Sequence, residues 1–538
     1  MAKNIVICSD GTGATAAKNR GTNVFKLYEA VELRDHRVHP GRVPQITFYD
    51  DGVGSQGWKP LKLLGGACGL GFSVNVRQLY AELARTYEPG DRIYFFGFSR
   101  GAFTVRTVAG IVTKFGLLDR TRFQSDKSLL RGVKCIYKIY RLTYSTVVQR
   151  LFDRLLRRSR RLARRRGAPW RFVGGRLHED APRIHFIGVW DTVDALGFPD
   201  DSVADLVNSV FYRFKFPNYA LHDRVDRACQ ALAIDDERAT FHPLLWDESR
   251  SSRSGVTQVW FSGAHANVGG GYPKHGMSLV ALNWMMGEAE AAGLRFIPGL
   301  RAEYRDRENV NDKLADSRGG LAFFYRYEPR DIWRACEEYG VTPAIHVSAL
   351  ERVAQQTEGY SPGNVPCSST LVETRGARAP GRLAALSGDV ETFLTERLGE
   401  WALAAGFRRR LRRPGGDAHA PHSLLDLARP AASARSVSHY IFLGAVVALA
   451  FLAWPVLQEQ TGGVWPMSGG RLQALQDAFL RGICSGAWEA LLAAVLLLVI
   501  IVSLVTAVRA RVHMERDFSE FWYSALPTLR RMMADRLP

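Results

Sequence analysis

The N-terminal half of the chain alternates short runs that are apolar throughout with longer stretches whose apolar residues recur at helical spacing. Asn4–Ser9 (NIVICS), Gln45–Tyr49 (QITFY), Arg92–Phe98 (RIYFFGF), Ile184–Trp190 (IHFIGVW) and Val256–Phe261 (VTQVWF) are predicted strands. Between them, Val24–Leu33, Phe72–Tyr87 and Ala102–Phe115 are predicted helices. A strand that is apolar on both faces needs cover on both. The pattern therefore predicts an α/β fold, a mostly parallel sheet with helices on both sides. In such sheets ligands bind beyond the carboxyl ends of the strands, and here each strand runs into polar residues or glycines at that end.

Two departures from this rhythm set the expected domain plan. From about Asp119 to Asp180 arginine dominates, which reads as an insertion. From about Ala404 to Ser436 the chain turns rich in Arg, Ala, Pro and Gly, which reads as a linker. Two charge-free runs follow, Tyr440–Leu457 and Ala490–Val508, each 18 or 19 residues and close to the length that crosses a bilayer. Arg408–Arg413, Arg429 and Arg435 precede the first run, and Arg509, Arg511 and Arg516 follow the second. Only Arg471 and Arg481 lie between. The positive-inside rule then predicts a hairpin with both ends in the cytoplasm. The expected plan is an α/β domain over 1–403, a linker over 404–439, a two-helix membrane hairpin over 440–508 and a cytoplasmic tail over 509–538.

Composition narrows the function classes. With 46% hydrophobic and 23% charged residues the chain is a folded protein. The net charge of +18 is concentrated between Arg150 and Arg176 and between Arg408 and Arg413, which favours an anionic partner. Nucleic acid is not expected, because the cluster Arg157–Arg166 lacks interleaved aromatics and matches no nucleic-acid module. Val148–Arg166 reads instead as a basic amphipathic helix for anionic lipid, with Leu151, Phe152, Leu155 and Leu156 on its apolar side. Seven dispersed cysteines without a CxxC pair argue against a disulfide framework and a structural zinc site. The opening residues MAKNIVICSDGTG show no signal-peptide pattern. The stretch GGACGLG at Gly65–Gly71 does not have the spacing of a nucleotide-binding loop, so no cofactor is expected.

The candidate chemistry centres on Gly97-Phe98-Ser99-Arg100-Gly101. A GxSxG match by itself is weak, but here it sits between a predicted strand and a predicted helix, the context of a nucleophile elbow. The helix start, at Arg100, directs amide dipoles at a developing oxyanion. A serine hydroxyl also needs a histidine to take its proton and a carboxylate to orient that histidine. Among thirteen histidines, His265 lies in a glycine-rich loop just past a strand, with His222, His242 and His275 as weaker alternatives. Asp191 follows a strand directly, with Asp194, Asp235 and Asp236 as alternatives. The order Ser99, Asp191, His265 is that of α/β-hydrolases. Gly11 and Thr12, in Asp10-Gly11-Thr12-Gly13, are candidates for a second oxyanion donor, with Asp10 bracing the loop.

Four segments, SDGTG, PGDRIYFFGFSRGAFTVR, GVWDTV and WFSGAHANVGGGY, resemble an α/β-hydrolase family of bacteria and fungi long labelled a domain of unknown function. That family includes phospholipase effectors of type VI secretion. The resemblance runs from about Asn4 to Met286 and extends to ALAIDDER at Ala231–Arg238. It implies a Ser, Asp, His triad at Ser99, Asp191 and His265, and hydrolysis of acyl esters, with phospholipids as substrate for some members. The family pattern has Asp two residues after the histidine, where this chain has Asn267. If that position holds the loop, Asn serves; if it assists the base, activity suffers. The resulting expectation is a membrane-anchored serine esterase acting on lipid or phospholipid esters, located in a bacterial inner membrane, with delivery as secreted effector cargo the other possibility. The contrasting reading is a catalytically silent hydrolase fold serving as a membrane scaffold or binding module.

Overall fold

A computed structural model describes residues 2–11, 21–52, 71–143, 172–194, 220–249, 251, 255–375, 380–404, 421–461 and 487–537. Its centre is an eight-stranded sheet in which every pairing is parallel. The strands are β1 (Asn4–Ser9), β2 (Gln45–Asp50), β3 (Arg92–Phe98), β4 (Ile184–Trp190), β5 (Arg227–Ala233), β6 (Gly255–Phe261), β7 (Ala344–His346) and β8 (Thr370–Val372). They lie in the order β2-β1-β3-β4-β5-β6-β7-β8. The five strands expected from the apolar runs are present within a residue at either end, and the expected α/β architecture holds. Strands β5, β7 and β8 were not anticipated.

The all-apolar strands feed two cores at once, because alternate side chains leave opposite faces. Ile5, Ile7, Ile93, Phe95, Ile187 and Val189 enter one cluster, beneath the helices Phe72–Thr86, Arg100–Phe115 and Asp126–Thr143. Val6, Cys8, Tyr94, Phe96, Phe186 and Trp190 enter the other, with the helices Asn23–Ala30 and Gly276–Ala291. The arginine-rich stretch therefore begins inside the fold: Leu129, Val133, Ile136 and Ile139 of its first helix are buried against the sheet-side core. The amphipathic segment Val148–Arg166 lies outside the described residues, as do Thr12 and the glycines before Gly71.

The C-terminal region is helical over more of its length than the apolar runs alone indicate. One helix spans Leu424–Thr461 and a second spans Ala487–Met532, and the two pack on each other. The part of the expected linker from Leu424 onward is thus helix. Both are long and apolar enough to cross a membrane by length and composition. The apolar stretch of the second is the more apolar of the two and the less buried. At 46 residues the second helix is about 69 Å long, roughly twice a bilayer's hydrocarbon thickness. Its far end turns back into the protein. Phe521, Trp522, Ala525, Leu529 and Met533 are buried with Val353, Leu394 and Leu398 in a third core, and the Trp522 indole donates to the Pro362 carbonyl at 2.8 Å.

Candidate active site

Ser99 stands where β3 passes into the helix Arg100–Phe115, at φ 56° and ψ −124°. That region is sterically costly for a residue with a side chain, on the order of 1–3 kcal/mol, and persists only where surrounding contacts enforce it. They do so here through glycine. A Cβ on Gly97 would lie 2.7 Å from the Ala102 backbone, and one on Gly101 would lie 2.1 Å from the Ser9 carbonyl oxygen. The helix can seat against the ends of β1 and β3 only because both side chains are missing. The Ser99 amide then donates to the Trp190 carbonyl at 3.0 Å, extending the β3–β4 ladder by one step.

The neighbouring strand ends supply the partners. His265 follows β6 by four residues and opens the short helix His265–Gly269. Its Nε2 lies 2.8 Å from Ser99 Oγ, and its Nδ1 lies 2.5 Å from Asp191 Oδ2. The ring is held between Phe98, at a centroid distance of 4.6 Å, and the edge-on Phe241 at 5.0 Å. All three polar residues are buried, Asp191 completely. With Asp191 ionised, Nδ1 carries the proton and Nε2 is left to accept from the Ser99 hydroxyl.

Asp191 owes its ionisation to a residue that the sequence did not single out. The Arg330 guanidinium clamps both carboxylate oxygens, at 2.6 and 2.8 Å, and also donates to the Ala233 and Phe241 carbonyls. Burial alone pushes the Asp191 carboxyl up. The Arg330 charge and hydrogen bonds, with those of His265, outweigh it and hold the group well below the usual carboxylate range. The Ala233 amide adds a further bond to Oδ1 at 3.0 Å. Nothing in EPRDIW marks Arg330, because its partner is 139 positions away.

The weaker candidates have other occupations. Asp235 accepts from the Gly263 amide and the Tyr360 hydroxyl, and Asp236 accepts from the His265 amide and is clamped by Arg238. Both carboxylates hold the backbone of the histidine loop rather than its ring, whose two nitrogens face Asp191 and Ser99. His242 contacts the Glu328 carbonyl and His275 the Pro273 carbonyl, while the His222 ring accepts from the Arg224 amide. Asn267 is also a loop residue. Its Oδ1 accepts from the Ala264 and Ala315 amides and its Nδ2 donates to the Lys313 carbonyl at 3.1 Å. A carboxylate has no proton for that last bond, so Asn suits these surroundings better than Asp.

On the other side of Ser99, the Gly11 backbone lies against the elbow: a Cβ there would be 3.4 Å from Ser99 Cβ. The Gly11 amide donates to Asp10 Oδ1 at 2.7 Å, while Oδ2 accepts from the Thr22 and Tyr49 hydroxyls. Burial raises the Asp10 carboxyl to about 6 despite these bonds. Arg100, the first residue of the helix after Ser99, is half-buried, and desolvation lowers its side chain to about 10. Among the described residues no group of His, Cys, Asp and Glu is arranged to hold a metal ion.

Comparison with known proteins bears on this geometry. A family model described as the catalytic domain of Tle1-like phospholipase effectors of type VI secretion matches residues 3–288, more than half of the chain. An uncharacterised protein of Saccharomyces cerevisiae is 27% identical over 267 residues, which is 45% of this chain and 33% of the relative. The chain thus spans about a third of the length of that curated relative. A crystal structure of an uncharacterised protein from Pseudomonas aeruginosa aligns over 94% of this chain and 66% of its own, at 15% identity and a TM-score of 0.30.

Proposed function

The chain belongs to the Tle1-like phospholipase effector family of type VI secretion, and from that premise we propose that it is a membrane-anchored serine hydrolase of phospholipid acyl esters. The observation that carries the reading is the unbroken line from Ser99 Oγ to His265 Nε2 and from His265 Nδ1 to Asp191. Ser99 Oγ attacks the ester carbonyl carbon as its proton passes to His265 Nε2, and the carbonyl becomes a tetrahedral oxyanion. The Arg100 amide, at the start of the helix after Ser99, is the candidate donor for that charge, with the Gly11–Thr12 backbone as the second candidate once the Gly11 amide, which donates to Asp10 Oδ1, is released. His265 then returns its proton to the departing alcohol oxygen, leaving Ser99 acylated. A water, deprotonated by the same histidine, releases the fatty acid and restores the serine. Asp191 stays ionised throughout and stabilises the imidazolium.

The two long C-terminal helices supply the anchor in this reading. Leu497, Leu498, Ile501, Val502 and Val505 of the second are exposed, as a lipid-facing surface requires. The excess of arginine beside both spans supports, by the positive-inside rule, a reading with the two ends and the catalytic domain on the cytoplasmic side of a bacterial inner membrane, whether the protein resides there or arrives as a delivered effector. Oriented this way, the enzyme meets phospholipid as its nearest ester.

Phospholipid vesicles and a fluorophosphonate probe together test the reading. Wild-type protein is expected to release fatty acid and to be labelled at Ser99, and Ser99→Ala to do neither. Equal inactivity of both proteins on every acyl ester, with no labelling, would reduce the fold to a silent scaffold.

A further inference from the structure

The segment Gly320–Tyr327 joins the first long C-terminal helix to the Glu237–Phe241 segment after β5, whose Phe241 ring packs on His265. On one side Phe323 and Phe324, neighbours on a short 3-10 helix, meet Phe442, the first edge-on at 5.8 Å and the second tilted at 6.4 Å. Arg326 lies over the Tyr440 ring, Arg435 lies over the Tyr327 ring at 3.5 Å, and the Ser436 hydroxyl donates to the Tyr327 carbonyl at 2.6 Å. On the other side the Tyr325 ring meets Phe241 edge-on at 5.6 Å, and Phe241 in turn meets His265. The backbone is tied to the segment that carries Phe241 by Ala239 N to Arg326 O and Glu328 N to Glu237 O. Arg318 fixes the segment's carbonyls by donating to those of Phe323 and Tyr325.

Two groups of rings, Phe323–Phe324–Phe442 and Tyr325–Phe241–His265, thus meet at the Phe324–Tyr325 backbone, and the first has an exposed end. Phe323 and Phe324 are 40% and 37% exposed, beside Tyr440 and Ile441 at 41% and 49%. A contiguous aromatic patch of this kind is costly in water and marks a contact surface. Its position says which contact. Phe442 is the third residue of the charge-free run Tyr440–Leu457, so the patch continues the surface that lipid covers if that run enters the bilayer. Aromatic side chains are favoured at that depth, where the hydrocarbon meets the headgroups.

We propose that Gly320–Tyr327 is a lipid ramp: Phe323 and Phe324 sit in the bilayer edge and pass an acyl chain along Tyr325 and Phe241 to Ser99. The proposal rests on the membrane-anchored hydrolase reading above. The partner is the bilayer that holds the protein's own helices, and the substrate is a phospholipid still seated in it rather than a monomer from solution. The aromatic rings replace hydrocarbon contacts as the lipid rises, so its acyl chain is never fully exposed to water.

The test uses the full chain reconstituted in phospholipid vesicles. The double substitution Phe323→Ser with Phe324→Ser is expected to lower fatty-acid release from the vesicles by about tenfold or more, given the apolar area of two phenylalanines. Hydrolysis of a water-soluble short-chain ester is expected to be retained, since neither ring touches Ser99 or His265. Undiminished vesicle hydrolysis by the double variant overturns the ramp. A second measurement does not depend on catalysis. In vesicles of brominated phospholipid, Phe324→Trp is expected to add indole emission that is quenched relative to the same variant in unbrominated vesicles, with the wild type as background. Unquenched added emission overturns the ramp too. A wild type that cleaves neither vesicles nor soluble ester defeats the hydrolase reading instead, and the quenching result still decides where Phe324 lies.

Discussion

At the scale of single residues the site depends on how buried charges are compensated. Arg330 and Asp191 are both fully buried, so removing the guanidinium leaves a carboxylate that burial alone drives toward its neutral form. Arg330→Met is expected to cost about 3–5 kcal/mol in urea unfolding. The sign of the pH effect follows from the depressed carboxyl. Its contribution is present above the unfolded value of about 4 and disappears only when pH falls through the lower folded value. Without Arg330 the folded value rises, so acid inactivation of the hydrolase should begin at a higher pH than in the wild type. Asp10 carries the opposite sign. Its folded value, raised to about 6, means that the native state holds a proton the unfolded chain has released, so stability falls as pH rises from about 4 to 6. Asp10→Asn should flatten that fall by roughly 2–3 kcal/mol, as read from urea midpoints across the interval. The serine, aspartate and histidine were legible because each directly follows an apolar run or closely trails one. Arg330 and Phe241 were not, since their importance exists only through contacts distant in sequence.

At the scale of elements, glycine decides how closely the sheet and its helices approach. The Gly101 position is the strictest near Ser99: a methyl there would meet the Ser9 carbonyl at 2.1 Å and the Asp10 carbonyl at 2.5 Å, both backbone atoms. Gly101→Ala is therefore expected to destabilise the fold by about 3 kcal/mol or more. The folded fraction should lose activity as well, because any shift of the helix moves the Arg100 amide from the elbow. Thermal unfolding and vesicle hydrolysis measured on the same preparation check both. The same scale explains which strands could be read. β1, β3 and β4 are six- or seven-residue runs of bulky apolar residues. β5, with the sequence RACQALA, buries small side chains and the amide of Gln230, which donates to the Leu244 carbonyl and to Gln258. β7 and β8 are three residues each, too short for any period to show. The helix from Leu424 begins in a stretch whose Arg, Ala and Pro content suggested a linker. What orders it is tertiary packing, with Leu424 buried in the third core and Arg429 paired with Asp331.

At the scale of the whole molecule, the two apolar helices are not an appendage to a finished domain. The chain leaves the catalytic domain at Leu424, passes through both helices, and returns to fill the third core with Phe521, Trp522, Leu529 and Met533. That core also contains Leu232 and Trp260 from β5 and β6, the strands that position the histidine loop. A chain ended at residue 403 would thus expose a large apolar face next to the site, and it is expected to aggregate or lose activity on soluble ester. Truncation removes many contacts together, so the sharper measurement is a point change. Trp522→Ala deletes the largest side chain of the returning helix and its bond to Pro362, far from Ser99. It is expected to cost about 3–5 kcal/mol. Measured in detergent by unfolding followed through activity, such a loss shows that the two apolar C-terminal helices and the catalytic domain fold as one unit. A chain ended at 403 that keeps full stability and activity would show instead that the C-terminal helices are only an anchor.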